Sequence, residues 1–108
     1  MAVQTSNSLV NQIGITPTTI FQTGPGVRAT IIGLSLTNLI EQFVYVDVIL
    51  NDGVNDGYYL KNCILPSKTS LRVISTGEKL VMSPSQILKV KSSADTSVDA
   101  IVSYAELT

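Results

Sequence analysis

The segment from Arg28 to Asn38, RATIIGLSLTN, constrains the fold more than any other part of the chain. From Thr30 onward it alternates between two faces, one with Ile32, Leu34 and Leu36 and the other with Ile31, Gly33, Ser35 and Thr37. A period of two residues is typical of a β-strand with one buried face. The pattern therefore predicts a central strand that is buried through the row containing Leu34.

Two other segments, Val44 to Leu50 and Ser97 to Leu107, offer apolar rows that match the central strand. The rows are Val44, Val46, Val48 and Leu50 in the first and Val98, Ala100, Val102 and Tyr104 in the second. Matching rows pack well on neighbouring strands, so we predict that these two segments are the partners of the central strand and that the three strands form the core. Asp47 and Asp99 have the opposite parity, and we expect them to point outward or towards the second face.

Turn signals recur about every eight to twelve residues along the rest of the chain. They predict about eight short strands: Thr18–Thr23, Arg28–Asn38, Val44–Leu50, Tyr58–Ile64, Ser70–Ile74, Lys79–Met82, Leu88–Lys91 and Ser97–Leu107. The first two strands are expected to form a hairpin around Gly24-Pro25-Gly26, and Thr76-Gly77-Glu78 is expected to be another turn. No helical period is present. The fold class is therefore an all-β protein, a single antiparallel β-sandwich or small jelly-roll-like barrel with little or no helix.

The composition indicates a surface that meets other molecules. The chain has 108 residues, enough for one domain, and only 14% of them are charged. Weakly charged surfaces are poorly protected against association. The net charge is −1 and the cations are dispersed, so we expect no nucleic-acid partner.

The residues that catalysis or metal binding needs are scarce. The chain has no histidine and one cysteine, Cys63, which argues against a zinc or thiolate site within one subunit. The loop from Asp52 to Gly57 invites comparison with a calcium loop, but the third and twelfth positions are Val54 and Cys63, which are not oxygen ligands. The glycines around Pro25 lead into a strand and not a helix, which argues against phosphate binding. We predict a protein that is not an enzyme and has no cofactor or metal.

The sequence shows neither a signal peptide at its start nor an apolar stretch of about 20 residues that would span a bilayer. We therefore expect synthesis in the cytoplasm and no membrane partner.

The first residues are polar and have no clear period, so we predict an N-terminal arm over 1–13 and a β-sandwich domain over 14–108. The arm, with Val3, Leu9 and Val10, is either a loosely packed terminus or a segment that lies across a neighbouring subunit and orders on assembly. These three residues belong to the candidate interface.

Two other groups complete the candidate interface. Leu39, Ile40 and Phe43 make the loop after the central strand unusually apolar; they either plug one end of the sandwich, which we favour, or form a contact patch. Tyr58 and Tyr59 are the remaining candidates. Together with Tyr45 and Tyr104 they either form a sugar-stacking or partner-facing surface or, the interpretation we favour, serve packing.

The order of these pieces resembles the small virion proteins of tailed bacteriophages, in particular short β-sandwich proteins of marine and cyanobacterial phages. The blocks that carry the resemblance are Gly14–Ile20, Arg28–Leu34 with Thr37-Asn38, Val46–Val48, Leu65-Pro66 before Ser70-Leu71, and Val98–Glu106. They extend over nearly the whole chain.

The resemblance implies a virion structural protein, with decoration and cementing of the capsid as the first expectation. It further implies many copies bound to the major capsid protein or another virion protein, and a homo-oligomer in which a trimer is favoured. The alternatives are a tail, baseplate or fibre component at low copy number, or a glycan- or receptor-binding module that uses the tyrosines.

Overall fold

The computed structural model describes residues 3–75 and 78–107. They form nine β-strands: β1 (Val3–Ile13), β2 (Thr18–Gln22), β3 (Arg28–Asn38), β4 (Val44–Asn51), β5 (Asp56–Leu65), β6 (Ser70–Ile74), β7 (Leu80–Met82), β8 (Ile87–Ser92) and β9 (Val98–Leu107). Within these residues, no helix has the length and apolar character needed to cross a membrane. The turn predicted at Thr76-Gly77 and the first two residues of the predicted arm lie outside the described residues.

The strands form two antiparallel sheets that pack face to face. Sheet 1 has the order β1-β9-β3-β6, with β7 also paired to β3, and sheet 2 has the order β2-β8-β4-β5. In sheet 1, β6 pairs with residues 34–37 of β3 and β7 pairs with residues 29–31. This arrangement confirms the predicted all-β antiparallel sandwich.

Strand β3 lies inside sheet 1 as predicted, and β9 is one of its partners. Leu34 lies opposite Val102 and Leu36 lies opposite Ala100 in the ladder that joins them. The prediction that β4 is the other partner is wrong, because β4 pairs with β5 and β8 in sheet 2. Its valines belong to the same buried core as Leu34 and Leu36 of β3, since the rows of two facing sheets bury each other as well as rows side by side.

The predicted hairpin of β2 and β3 is also wrong. The turn is present, and the amide of Val27 donates to the carbonyl of Gly24 at 3.2 Å. However, β2 pairs with β8 in sheet 2 while β3 lies in sheet 1. The turn therefore moves the chain from one sheet to the other.

The core fills the space between the two sheets and includes residues of all nine strands, with Leu65, the last residue of β5, as the fully buried member from that strand. Its fully or nearly fully buried members include Ile13, Ile20, Ile31, Leu34, Leu36, Val44, Val46, Val48, Leu65, Ile74, Met82, Leu88, Val90, Val98, Ala100 and Val102. Tyr104 packs against the edge of this core, where its ring centroid lies 4.3 Å from that of Phe21.

A bulge in β3 places Ile32 on the face opposite to the predicted one. The register with β9 shifts between Ile31 and Gly33, and a bulge inserts one residue that breaks the alternation. As a result Ile31 is fully buried, whereas Ile32, predicted to be on the buried face, is 44% exposed. Leu34 and Leu36 are buried as predicted.

The segment predicted as an arm contains a strand of the sandwich. Val3–Ile13 pairs with β9 as the edge of sheet 1, from Val3 opposite Leu107 to Ile13 opposite Val98. The strand has little apolar period because, of its eleven residues, only Ile13 is fully buried. Exchange of this segment between subunits stays a prediction.

Candidate interaction surface

The outer face of sheet 1 is a broad surface that carries few charges. We define it as the side of the sheet that points away from the core. On β1 and β9 it presents alternate residues, and the register places Leu9 opposite Ile101 and Val3 opposite Leu107. Its central part, across β1, β9, β3 and β7, consists of Thr5, Asn7, Leu9, Thr30, Ile32, Gly33, Ser35, Val81, Ile101, Ser103 and Ala105.

Several large aliphatic side chains are exposed on this face. Leu9 and Val81 are each 63% exposed, and Ile101 and Ile32 are both close to half exposed. A shallow groove of about 380 Å³ runs between β3, β6 and β9, lined by Ile32, Ser35, Arg72, Ile101 and Ser103 among others. Clustered apolar groups within a polar surround are typical of protein contact surfaces.

The charged residues of this face lie towards its borders. Arg28 begins β3, Arg72 belongs to the edge strand β6, and Asp99 lies near the start of β9. The Oδ1 atom of Asp99 accepts a hydrogen bond of 2.9 Å from the amide of Gln12, so this carboxylate supports the end of β1. The interior of the face therefore offers hydroxyl, amide and aliphatic groups only.

The predicted interface residues are not brought together in one surface. Val3 and Leu9 point outward on sheet 1, while Val10 points inward and packs against the core. Tyr58 and Tyr59 lie on β5, the edge strand of sheet 2. Ile101 and Ile32 also belong to the outer face of sheet 1, although neither was predicted. The alternation alone does not show that a bulge turns Ile32 outward or that Ile101 lies opposite Leu9.

The loop after β3 divides its apolar residues between two roles. Ile40 packs against the core, as a plug requires, whereas Leu39 is half-buried, and its part in a plug stays a prediction. Phe43 does not follow that prediction. It is more than half exposed and packs edge-on against Tyr45, with the ring centroids 5.6 Å apart, because β4 begins at Val44 and turns Phe43 away from the core.

Asn38 holds this loop in place and was not predicted to have any role. It is nearly fully buried, and its Nδ2 atom lies 2.9, 3.1 and 3.1 Å from the carbonyls of Gln42, Leu65 and Pro66. Its Oδ1 atom accepts a 2.9 Å bond from the amide of Ile40. One side chain thus satisfies backbone groups of two connections at this end of the sandwich.

Asp47 is more buried than its parity predicts. It faces away from the core, yet it is only 7% exposed, and its Oδ1 atom accepts a 2.7 Å hydrogen bond from the amide of Asn62. Asn62 has a positive φ of 48°, at a point where the β4–β5 register is irregular. The carboxylate therefore supports a distorted part of the edge strand β5.

The acidic hairpin between β4 and β5 uses its own side chains to fix its shape. Asp52 Oδ1 accepts hydrogen bonds from the amides of Val54 at 2.9 Å and Asn55 at 2.7 Å. These two bonds, that of Asn55 first, lower the pKa of Asp52 below its ordinary value. Across the described ranges, no group of three His, Cys, Asp or Glu residues is placed to hold a metal ion.

A groove of about 400 Å³ lies beside this hairpin. Tyr58 and Tyr59 line it together with Asp52, Asn55 and Asp56, and the Nζ atom of Lys61 lies 4.1 Å above the ring centre of Tyr58. The other two tyrosines are elsewhere, Tyr104 at the core and Tyr45 beside Phe43. The four tyrosines therefore do not form one surface.

No protein-family model matches the sequence, and no curated protein matches it significantly. Among solved structures, the chain is similar to a chain of the T13 particle of infectious bursal disease virus, with a TM-score of 0.56 and 14% identity. That alignment covers 96% of this chain and 30% of the viral chain. This chain therefore spans less than a third of the viral chain's length.

Two further solved structures are similar. A subunit of the disulfide-linked pili that form Bacillus endospore appendages has a TM-score of 0.55 and 9% identity, covering 98% of this chain and 88% of the subunit. A pentameric capsid protein from metagenomic phage sequences has a TM-score of 0.41 and 17% identity, covering 94% of this chain and 59% of its own. The viral and the pilus similarity show that the sandwich fold is shared with subunits of large assemblies.

Proposed function

We propose that this chain is a virion structural protein that decorates a capsid and cements its shell in many copies. The observation that carries the proposal is the outer face of sheet 1, whose interior has no charge and exposes Leu9, Ile32, Val81 and Ile101. The shared fold with a chain of an icosahedral virus particle supports the same role. The sequence resemblance to small phage virion proteins supports it independently.

The face suits repeated, individually modest contacts. Burial of an exposed Leu or Ile side chain contributes about 1.5–3 kcal/mol, and part of this gain is offset by the lost freedom of the bound subunit. One such face is a weak anchor. Many copies on one particle strengthen the shell together, because each bound subunit contacts shell proteins that also contact neighbouring bound subunits.

The partner in this proposal is the major capsid protein or another virion protein, with synthesis in the host cytoplasm before assembly on the particle. The subunits form a homo-oligomer. The sequence resemblance favours a trimer on the particle, and such a ring of three needs two different contact surfaces on each subunit, since head-to-tail contacts close it.

The test is the number of copies of this chain relative to the major capsid protein in purified particles, measured by quantitative mass spectrometry. A ratio near one, or a fixed simple fraction of one, is the expected result. Absence of the chain from the particles would reject a virion structural role. A handful of copies per particle would reject decoration and favour the second candidate.

That second candidate is a component of a tail, baseplate or fibre. The similarity to a pilus subunit supports it, because the alignment covers 88% of that subunit and hence nearly its whole fold. The 108 residues of this chain cannot form a chain of disulfide-linked subunits like that of the pili. A single cysteine, Cys63, forms only one bond, whereas a linked chain of subunits needs at least two per subunit.

A glycan- or receptor-binding module is the third candidate, and the groove beside Tyr58 and Tyr59 is the observation that favours it. Exposed tyrosine rings next to carboxylates and amides can stack on a sugar and hydrogen bond to its hydroxyls. A glycan array tests this candidate. Retention of a sugar that is lost in the Tyr58→Ala variant would support it, and the absence of any bound sugar would reject it.

A further inference from the structure

From Val3 to Val10, before the irregularity that precedes Ile13, the free edge of β1 lacks the features that normally protect a strand edge. Exposed edges are usually blunted by charged residues, proline, bulges or short length. None of the eleven residues of β1 is charged or a proline, and its register with β9 is regular from Val3 to Val10. Within the described chain, the backbone of residues 3–11 forms no hydrogen bond with a loop.

The other edge strands of the two sheets are each protected. β5 carries Asp56 and Lys61 and is distorted where Asn62 has its positive φ. β6 has five residues with Arg72 at its centre, and β7 has three. β2 follows Pro17 and has an irregular register with β8. Among these edge strands of the described chain, only β1 offers eight consecutive residues, Val3 to Val10, that are regular and uncharged.

We propose that β1 pairs with β1 of a second copy of this chain, antiparallel and about a two-fold axis, so that the two sheets 1 become one continuous sheet. The absence of charge on β1 suits a second copy of the same strand. A two-fold axis brings the same residues of both copies close together, so a charged residue on β1 would lie near a residue of the same charge. The proposal does not depend on capsid decoration, since pairing requires only the edge itself.

The exposed side chains select one register. With the axis at Ser6, Val3 faces Leu9 of the second copy on the outer face, Thr5 faces Asn7, and Gln4 faces Ser8 on the inner side. Val3 and Leu9 are the two most exposed aliphatic residues of β1, at 67% and 63%. This register covers both of them, and directly opposite residues in antiparallel strands are close enough to pack.

The same register extends an apolar row across the junction. Leu9 already lies opposite Ile101, and Val3 already lies opposite Leu107. Pairing would therefore join Ile101 and Leu9 of one copy to Val3 and Leu107 of the other. The two-fold axis generates this row twice. Two such rows on one face would anchor the pair in addition to its backbone hydrogen bonds.

The experiment measures the mass of the full chain by sedimentation equilibrium over a range of concentrations. The wild-type chain is expected to form a dimer of twice 11.6 kDa. The variant Thr5→Lys/Asn7→Lys would place Lys opposite Lys twice, which we expect to raise the dimer dissociation constant roughly ten-fold or more. The variant Thr5→Lys/Asn7→Asp would place Lys opposite Asp and is expected to dimerise.

The control variant Val54→Lys/Thr16→Lys adds the same charge at exposed loop positions and is expected to dimerise like the wild type. Circular dichroism with thermal melting shows that each variant is folded. A wild-type monomer or trimer would overturn the proposal. So would a Lys/Lys variant that dimerises like the wild type, a folded Lys/Asp variant that stays monomeric, or a control that dissociates.

Discussion

Ile31 and Ile32 are consecutive residues of β3 with opposite environments, since Ile31 is fully buried between the sheets and Ile32 is 44% exposed on the outer face of sheet 1. The bulge between Ile31 and Gly33 positions them this way. We expect Ile31→Ala to lower the free energy of unfolding by about 2–5 kcal/mol, because it leaves a cavity in the core. Ile32→Ala is expected to change it by about 0.5 kcal/mol or less. Urea denaturation of the two variants checks this, and equal losses would contradict the bulge.

Asn38 joins the loop after β3 to the carbonyls of Leu65 and Pro66. We expect Asn38→Ala to lower the free energy of unfolding by roughly 2–3 kcal/mol, because it leaves buried carbonyls without a donor. The control is Asn11→Ala on exposed β1, for which a change of about 0.5 kcal/mol or less is expected. Urea denaturation measures both, and a loss at Asn38 no greater than that of the control would show that the bonds contribute little.

Asp47 supports the distorted part of β5 through the amide of Asn62. We expect Asp47→Ala to lower the free energy of unfolding by about 1–3 kcal/mol, since the partly buried amide loses its acceptor. Asp47→Asn keeps an acceptor oxygen and is expected to lose less. Glu41→Ala, at an exposed loop position, serves as the control in the same urea titration. Faster hydrogen exchange of the Asn62 amide in Asp47→Ala would show that the lost stability comes from this hydrogen bond. Unchanged exchange would show that the carboxylate does not protect this amide.

Leu9 and Ile101 are opposite each other on the outer face of sheet 1. If this face binds a shell, Leu9→Ser/Ile101→Thr should weaken particle binding by at least about ten-fold, because an exposed Leu or Ile gains about 1.5–3 kcal/mol on burial. The matched control is Val54→Ser at the tip of the acidic hairpin, which is 87% exposed. Co-sedimentation with particles measures the binding. Equal binding of the double variant and the control would assign the contact to another surface.

Asp52 accepts hydrogen bonds from two amides of its own hairpin, and its pKa is lowered from its ordinary value of 3.8. The charged form is favoured in the folded state, so its stabilising effect is fully present above pH 3.8 and is lost as the pH falls through the lower folded pKa. NMR titration should show the amides of Val54 and Asn55 shifting together below pH 3.8. These shifts should be absent in Asp52→Asn, and a midpoint above 3.8 would contradict the hydrogen bonds.

The alternation in β3 and β9 was enough to predict two strands, because side-chain period depends only on local backbone geometry. Their matching apolar rows also predicted that they pair, whereas the same match failed for β4. The spacing of turn signals likewise predicted an all-β sandwich. For the candidate interface, the sequence identified Val3 and Leu9 as apolar residues in a polar segment. It also placed Ile40 at the end of the sandwich, where it packs against the core.

Tertiary structure decided the features that depend on what a row of side chains meets. The apolar rows of β3 and β4 match equally well side by side or face to face, and the topology placed them in different sheets. The bulge moved Ile32 outward, and the pairing of β1 with β9 brought Leu9 to Ile101. Local sequence determines the period of a strand, whereas register and partner depend on residues far away in the chain. Those long-range contacts created both the outer face of sheet 1 and the free edge of β1.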